Sequence, residues 1–125
     1  MNENEIGKVV LGAALRVHTA LGPGLLESAY EICLAHVIVK QGQSIKQQVL
    51  LPVHYDGLEL DAGYRLDLLV LNKVIVELKA VEKLLPIHTA QLLSYLKLSQ
   101  LALGYLLNFN VVHMRDGIKR VVNKL

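Results

Sequence analysis

Three ionisable residues stand in two neighbouring apolar segments, where charge is costly to bury. Glu77 and Lys79 lie two residues apart in the segment Val74–Ala80. Asp67 lies in the preceding segment, Tyr64–Val70. Both segments are rich in Val and Leu, which predicts β-strands. Residues two apart in a strand point to the same face, so we expect Glu77 beside Lys79. Burying such groups is expensive unless they pair with one another or bind a metal.

Two interpretations of these charges stay open. In the first, they form structural ion pairs, Glu77 with Lys79 or Asp67 with Arg65. In the second, the two carboxylates hold Mg²⁺ or Mn²⁺, which prefer oxygen ligands and keep bound water. Such a metal acidifies water and polarises a phosphate group. A lysine can then stabilise the developing charge or orient the attacking water. The second interpretation indicates hydrolysis of a phosphodiester bond.

The connection between the two strands decides whether the acids can meet. A two-residue turn at Asn72–Lys73 would place Asp67 opposite Leu78 and away from Glu77. A three-residue connection, or one bulge, would place Asp67 opposite Glu77 on the same face. A shared acidic site therefore predicts the odd connection or the bulge. A regular two-residue hairpin would count against it.

Two helical segments carry further polar residues at helical spacing. After Pro86, Gln91 and Tyr95 lie four residues apart and share one face of a predicted helix. Upstream, Glu27 lies in the first turn of another predicted helix, and Tyr30 follows on the same face. Glu27 either complements the helix dipole there or supplies a third acid to the metal.

The hydrophobic pattern predicts the elements that must position these residues. Apolar residues recur every three or four positions over about 4–21 and 25–40, which predicts two amphipathic helices. Gly22–Pro23–Gly24 separates them, and Pro86 opens a third helix over about 87–100. The predicted strands cover Ile45–His54, Leu58–Leu60, Tyr64–Leu71, Val74–Ala80, Leu101–Phe109, Val111–Arg115 and Ile118–Val122, with the last two joined by an Asp116–Gly117 turn. This order predicts an α/β fold in which helices flank a mixed central β-sheet.

Length and composition exclude several classes of protein. The 125 residues fit one domain, and a hydrophobic content of 53% excludes a disordered chain. Only 19% of the residues are charged, so we expect apolar surface that a homo-oligomer would cover. The net charge of +2 neither indicates nor excludes nucleic-acid binding. One cysteine, an acidic N-terminus and the lack of a long apolar segment predict a soluble cytoplasmic protein with no membrane span.

Other residue types give no support for competing chemistry. The histidines and Cys33 show no zinc-binding spacing. The phosphate-binding patterns G-x-x-x-x-G-K and G-x-G-x-x-G are absent, so no nucleotide cofactor is expected. Aromatic residues make up 5% of the chain, which gives no support for a base-stacking platform.

The motifs together resemble those of a known family. Gly24, Glu27 and Tyr30 match the G-x-x-E-x-x-Y signature of the GxxExxY protein family. Later blocks of that family are similar to segments 64–70, 76–80, 91–96, 106–109 and 117–120, so the resemblance covers about residues 5–123. The family is placed in the PD-(D/E)xK nuclease superfamily, which has a restriction-endonuclease-like fold. The order D…ExK…QxxxY is similar to that of the RecB-type nucleases.

The resemblance implies roles for the residues in the two predicted strands. Asp67, Glu77 and the backbone carbonyl of Leu78 would ligate the metal. Lys79 would be the catalytic lysine. Leu66 stands where the name of the superfamily has Pro, a frequent departure within it.

The resemblance also implies roles for helical residues and for the whole chain. Gln91 and Tyr95 would contact the nucleic-acid backbone or orient the site, and Glu27 would add a helix-borne acid to the metal shell. The implied function is that of a Mg²⁺- or Mn²⁺-dependent nuclease, acting on DNA in preference to RNA. The alternative is a non-catalytic nucleic-acid- or protein-binding module that keeps the fold and acts as a homo-oligomer.

Overall fold

A five-stranded mixed β-sheet forms the centre of the computed structural model, which describes residues 1–125. The helices are α1 (Glu3–Leu21), α2 (Glu27–Lys40) and α3 (Pro86–Ser99). The strands are β1 (Ile45–Leu50), β2 (Val53–Tyr55), β3 (Leu58–Leu60), β4 (Arg65–Val70), β5 (Val74–Lys79), β6 (Leu103–Asn108) and β7 (Ile118–Val122). Across the sheet the order is β1-β4-β5-β6-β7, and only β5 and β6, which α3 connects, run parallel. The predicted α/β class, with helices flanking a mixed sheet, is confirmed.

Helix α1 begins and ends at residues whose chemistry favours those positions. The side chain of Asn2 accepts a hydrogen bond from the amide of Glu5, and the Glu5 carboxylate accepts one from the amide of Asn2. This capping box satisfies two amides that would otherwise lack a partner. Gly22 ends the helix at a φ of 68°, which glycine adopts without steric cost. None of the three helices combines the length and apolar character that crossing a membrane requires.

Two hydrophobic cores lie on opposite faces of the sheet. The larger core joins the buried stripes of α1 and α2 to β4, β5 and β6. The smaller core packs α3 against the other face. In β5, Val74 and Val76 face the larger core while Ile75 faces the smaller one. Because β5 is covered on both faces and paired on both edges, a charged residue within it is largely shielded from water.

The connection between β4 and β5 has the odd length that a shared acidic site requires. The three residues Leu71–Lys73 join the strands, and Leu68 pairs with Val76. The first two residues of the connection have positive φ angles of 52° and 56°, which reverse the chain within three residues. Continued by one residue, this register sets Asp67 opposite Glu77. The prediction of an odd connection is confirmed.

The hairpin of β2 and β3 forms a separate two-stranded sheet. Its turn falls at Asp56–Gly57, within the three residues 55–57 that separate two of the predicted strands, whereas Tyr55 belongs to β2. The long predicted strand Ile45–His54 is wrong, because the chain leaves the central sheet at Leu51–Pro52, where proline has no amide to donate. The hairpin packs little against the rest of the molecule, and its apolar residues Tyr55 and Leu58 are exposed.

The loop before β7 also differs from the sequence prediction. A strand over Val111–Arg115 followed by a two-residue turn is wrong, because the segment is a loop that ends in a 3₁₀ turn at Met114–Gly117. The first residue of this turn is buried in the larger core. Gly117 packs so tightly against the backbone carbonyl of Asn108 that there is no space for a Cβ atom. Close packing against Asn108 therefore explains why residue 117 is a glycine. Asp116 and Gly117 form part of the 3₁₀ turn and not a hairpin turn.

Candidate active site

Asp67 of β4 and Glu77 of β5 meet where the regular pairing of these strands stops. The last ladder pair before them is Leu68 with Val76. Beyond it, the Glu77 carboxylate accepts a hydrogen bond of 2.7 Å from the amide of Asp67. The Asp67 carboxylate accepts one of 3.0 Å from the amide of Leu78. Each acid thus binds an amide of the opposite strand and holds the two strands together with both carboxylates at the gap between them.

The strands separate here because β1 and β4 change the face that they present. Leu68 packs into the larger core, whereas Leu66, two residues earlier, packs into the smaller core. A regular strand would place both on one face. In β1 the residue opposite Asp67 in the register is Gln48, whose φ is 51°, and the next residue, Val49, packs against the smaller core. Asp67 lies between Leu66 and Leu68, where β4 changes face, and its side chain belongs to neither core.

Burial and like charge both act on Glu77. The residue is 6% exposed. Its pKa is raised from 4.5 to about 8, mainly by burial, then by the neighbouring Asp67 carboxylate and, to a smaller extent, by Glu31. The hydrogen bond from the Asp67 amide and the charge of Lys79 oppose this shift. A bound cation would stabilise the ionised form of Glu77 and so lower this pKa.

Lys79 lies two residues after Glu77 and is half-buried. The structural interpretation predicts ion pairs of Glu77 with Lys79 or of Asp67 with Arg65. The carboxylates instead accept hydrogen bonds from backbone amides, and neither predicted pair is joined by a hydrogen bond. The charge of Lys79 still acts on Glu77, so the ammonium group lies near the acids without being fixed by them. It remains able to bind a negatively charged group.

The donor atoms at the gap are those that Mg²⁺ or Mn²⁺ prefers. Because the amide and carbonyl of one strand residue face the same neighbouring strand, the carbonyl of Leu78 faces β4, as its amide does. The second carboxylate oxygen of Glu77 accepts no hydrogen bond from the protein. These hard cations bind carboxylate and carbonyl oxygens and retain several waters. No three His, Cys, Asp or Glu side chains are clustered as a candidate metal site, so the donor set consists of two carboxylates and one backbone carbonyl.

Almost the whole chain matches a known family. A model of the PD-(D/E)XK nuclease superfamily matches residues 4–121. The chain belongs to the PD-(D/E)XK nuclease superfamily. Its mixed sheet with flanking helices is consistent with the restriction-endonuclease-like fold. Nucleases of this superfamily act on nucleic acid and generally use divalent metals. Neither a search of curated proteins nor one of solved structures finds a match.

Glu31 of α2 lies closer to Asp67 and Glu77 than Glu27 does, although the sequence pattern indicates only Glu27. Glu27 is exposed in the first turn of α2 and makes no hydrogen bond. Glu31, one helical turn later, acts electrostatically on Glu77. The structure thus brings Glu31, rather than Glu27, to the edge of the site. Its spacing of four residues from Glu27 is the only sequence signal that could have identified it.

Gln48 connects Glu31 to the acid pair and was also not selected from the sequence. Its side-chain amide donates a hydrogen bond of 2.8 Å to Glu31 and one of 3.3 Å to Asp67. The left-handed φ of Gln48 turns its side chain toward both acids. Gln47, its neighbour, donates only to Glu31, at 3.3 Å. Gln48 therefore fixes the position of Asp67 relative to α2.

Tyr30 of the G-x-x-E-x-x-Y motif lies within the core. Its hydroxyl donates a hydrogen bond of 2.6 Å to the carbonyl of Gly22 and accepts one of 3.1 Å from the amide of Leu25. Its ring stacks on Phe109 with centroids 4.6 Å apart. Tyr30 thus fixes the loop between α1 and α2, and the geometry gives it a structural role.

Helix α3 carries the other two predicted site residues, Gln91 and Tyr95. Tyr95 lies near Asp67 and Glu77. Gln91 is exposed and Tyr95 is 7% exposed. Burial raises the pKa of Tyr95, and the charges of Glu77 and Asp67, together with Tyr64, raise it further. Gln91 and Tyr95 both line a cavity of about 340 Å³. The two residues therefore share one face of α3, as their spacing of four residues predicts.

Proposed function

We propose that the protein is a divalent-metal-dependent nuclease that hydrolyses phosphodiester bonds, with DNA as the favoured substrate. The observation that carries this proposal is the pair of a buried Glu77 and a half-buried Asp67, held by backbone amides at the gap between β4 and β5. Membership of the GxxExxY family, supported by the motif at Gly24–Tyr30, is part of the proposal. The single cysteine supports a reducing, cytoplasmic setting.

Each residue of the pair and its neighbours has a proposed role in this chemistry. Asp67, Glu77 and the carbonyl of Leu78 would hold Mg²⁺ or Mn²⁺, which lowers the pKa of a bound water and neutralises charge on the phosphate. The Lys79 ammonium binds a phosphate oxygen and stabilises the charge that develops as water attacks phosphorus. Attack forms one P–O bond and breaks the bond to the leaving oxygen, which takes up a proton. Glu27 remains a proposed additional ligand, and Gln91 and Tyr95 are proposed to contact the nucleic-acid backbone or to orient the site.

A thermal melt with and without millimolar Mn²⁺ tests the metal site. A ligand that binds only the folded chain raises its stability by mass action. We expect Mn²⁺ to raise the melting temperature of the wild type and not that of Asp67→Asn, which keeps an acceptor for the Leu78 amide. Glu59→Gln, an exposed acid on β3, is the matched control and should respond as the wild type does.

Cleavage of labelled DNA and RNA then tests catalysis. Lys79→Ala should still show the Mn²⁺-dependent rise in melting temperature but lose activity by at least about 100-fold, because removal of one group that stabilises transition-state charge has that effect. A metal-dependent activity that survives both Asp67→Asn and Lys79→Ala unchanged would refute the proposal.

A second candidate function is a non-catalytic nucleic-acid- or protein-binding module that acts as a homo-oligomer. The groove between α1 and α2, the helix groove, favours it because apolar residues line it and Ile32 beside it is 64% exposed. Self-association would cover this surface. Ile32→Glu should then lower the sedimentation coefficient, whereas Val112→Glu, at a residue that is also exposed but lies outside the groove, should not. Under this candidate the wild type shows neither a Mn²⁺-dependent melting shift nor cleavage.

A further inference from the structure

A cleft between α3 and the start of β4 lies next to the acid pair and has no role in holding the metal. It is lined on one side by Tyr64 and Val53 of β2 and on the other by one face of α3, from Ile87 to Leu98, which includes Gln91, Ser94 and Tyr95; we call it the tyrosine cleft. Its volume is about 340 Å³, which is at the lower end of the range for small-ligand sites. The α3 residues recur at three- and four-residue intervals and therefore form one face of the helix.

Polar groups without partners converge on the tyrosine cleft. The hydroxyl of Tyr95 makes no hydrogen bond, although the residue is 7% exposed. No fully buried side-chain oxygen or nitrogen in the structure lacks a partner, so this hydroxyl must reach open space, and the cleft is the space that Tyr95 lines. The side chains of Gln91 and Ser94 also make no hydrogen bond. Three groups able to donate and accept hydrogen bonds are thus available to a ligand.

The walls of the tyrosine cleft are aromatic and aliphatic, and none of its lining residues is charged. Tyr64 is 42% exposed, and its ring is tilted by 55° against that of Tyr95 with centroids 6.0 Å apart. Such a surface offers a ring face on which a planar group can stack. The absence of Lys and Arg from the lining argues against a phosphate as occupant. A flat group with hydrogen-bonding edges fits these walls better.

The position of the tyrosine cleft connects it to the reaction site. Tyr64 precedes Asp67 by three residues on the chain that forms β4, and the charges of Glu77 and Asp67 act on Tyr95. A group bound in the cleft is therefore a neighbour of any phosphate at the acid pair. In a polynucleotide, the planar group next to a phosphate is a base.

We propose that the tyrosine cleft binds an unpaired nucleobase next to the scissile phosphate, with Tyr64 as the stacking surface and Gln91, Ser94 and Tyr95 facing the base edge. Because bases in a duplex are stacked and paired, the substrate class is single-stranded nucleic acid or an unpaired end. The inference rests on the proposed nuclease function. The sequence contains few aromatic residues, but the fold brings two of them together at the site.

Binding in the presence of a chelator tests the inference without requiring cleavage. The probes are a short single-stranded deoxyoligonucleotide and a strand of the same length and charge made of abasic units. The wild type should bind the base-bearing strand about 10-fold more tightly, because stacking one base on an aromatic side chain has an effect of this size. Tyr64→Ala should remove this difference and Tyr64→Phe should keep it. Tyr55→Ala, an exposed tyrosine outside the cleft, should bind both strands as the wild type does.

A second variant covers the case in which Tyr64→Ala impairs folding. Ser94 is exposed on α3, so Ser94→Leu would narrow the tyrosine cleft without altering Tyr64 or adding an aromatic ring, and it should also remove the preference for the base-bearing strand. A preference that survives both substitutions would overturn the inference. Failure of the wild type to bind either strand would also overturn it and would point to a protein segment as the occupant. A ribonucleotide strand, tested in parallel, distinguishes DNA from RNA as the source of the base.

The two proposals fail in different ways. A base preference that depends on Tyr64, in a protein that cleaves no substrate, would support the tyrosine cleft and refute the nuclease. Metal-dependent cleavage without any base preference would support the nuclease and refute the tyrosine cleft.

Discussion

The carboxyl group of Glu77 lies in surroundings that favour its neutral form. Its pKa is raised from 4.5 to about 8, first by burial and then by the charge of Asp67. Between these two pH values the folded chain holds a proton that the unfolded chain has released, so the free energy of unfolding falls as the pH rises. The contribution of Glu77 to stability is therefore fully present below pH 4.5 and is lost as the pH rises through about 8.

Glu77→Gln removes this titration and keeps an acceptor for the Asp67 amide. In the presence of a chelator, the wild type should lose stability relative to the variant between about pH 5 and about pH 8.5, by a few kcal/mol, since one pKa unit corresponds to about 1.4 kcal/mol. Thermal or urea unfolding across this range measures the difference. Glu59→Gln should follow the wild type, and parallel profiles for Glu77→Gln and the wild type would contradict the raised pKa.

Gln48 is predicted to support activity through the position of Asp67. Gln48→Ala removes the hydrogen bonds to Asp67 and Glu31, and loss of such a supporting contact around a metal site lowers metal affinity or activity by about 10-fold. A titration of the melting temperature with Mn²⁺ measures the affinity. Gln47→Ala is the matched control because Gln47 contacts Glu31 alone. Equal effects of the two substitutions would show that Gln48 does not position the site.

Some residues of the site can be predicted from the sequence and others cannot. Asp67, Glu77 and Lys79 stand out because charge interrupts segments that are otherwise apolar. Glu31 and Gln48 carry no such signal, since polar residues are ordinary on an exposed helix face or an edge strand. Their role follows from the packing of α2 against β1 and from one left-handed φ angle, and both are properties of the folded chain.

At the scale of elements, the connection between β4 and β5 fixes the register on which the acid pair depends. Asn72 has a φ of 56°, a conformation that costs a residue with a branched side chain about 1–2 kcal/mol. Asn72→Val should lower the free energy of unfolding by about that amount, and Asn72→Gly should leave it unchanged or raise it slightly. Urea unfolding compares them, and equal stabilities would show that this backbone conformation is not retained in solution.

Gly117, in the turn before β7, and Gly12, on α1, differ in the space around them. Gly117 has no room for a Cβ against the carbonyl of Asn108, whereas the space around Gly12 on α1 is empty. Gly117→Ala should therefore destabilise the fold by about 1–3 kcal/mol, as overpacking does. Gly12→Ala should stabilise it by about 0.5–1 kcal/mol, because alanine is the better helix former. A stabilising effect of Gly117→Ala would contradict the close contact between Gly117 and the Asn108 carbonyl.

Across the whole molecule, the fold class follows from periodicity, while the detailed path of the sheet does not. The three helices and the strands β4, β5 and β6 lie close to their predicted positions because each has a strong periodic or apolar signal. The change of face at Leu66 cannot be recognised locally, since it needs two strands and two cores at once. The loop before β7 cannot be recognised locally either. Asp116–Gly117 is typical of a hairpin turn, but tertiary packing of Gly117 against Asn108 determines the conformation.

The hairpin of β2 and β3 divides the chain into two pieces that share one site. A cut between Asp56 and Gly57 leaves α1, α2 and β1 on one polypeptide and everything from β3 onward on the other. Because the hairpin packs little against the body, the surfaces that hold the pieces together, β1 on β4 and both helices on the sheet, stay intact. Glu31 would then come from one polypeptide and the acid pair from the other. Coexpressed as separate halves, they would form the complete site only by complementation, so the proposed nuclease activity would report on the association of any two proteins fused to them.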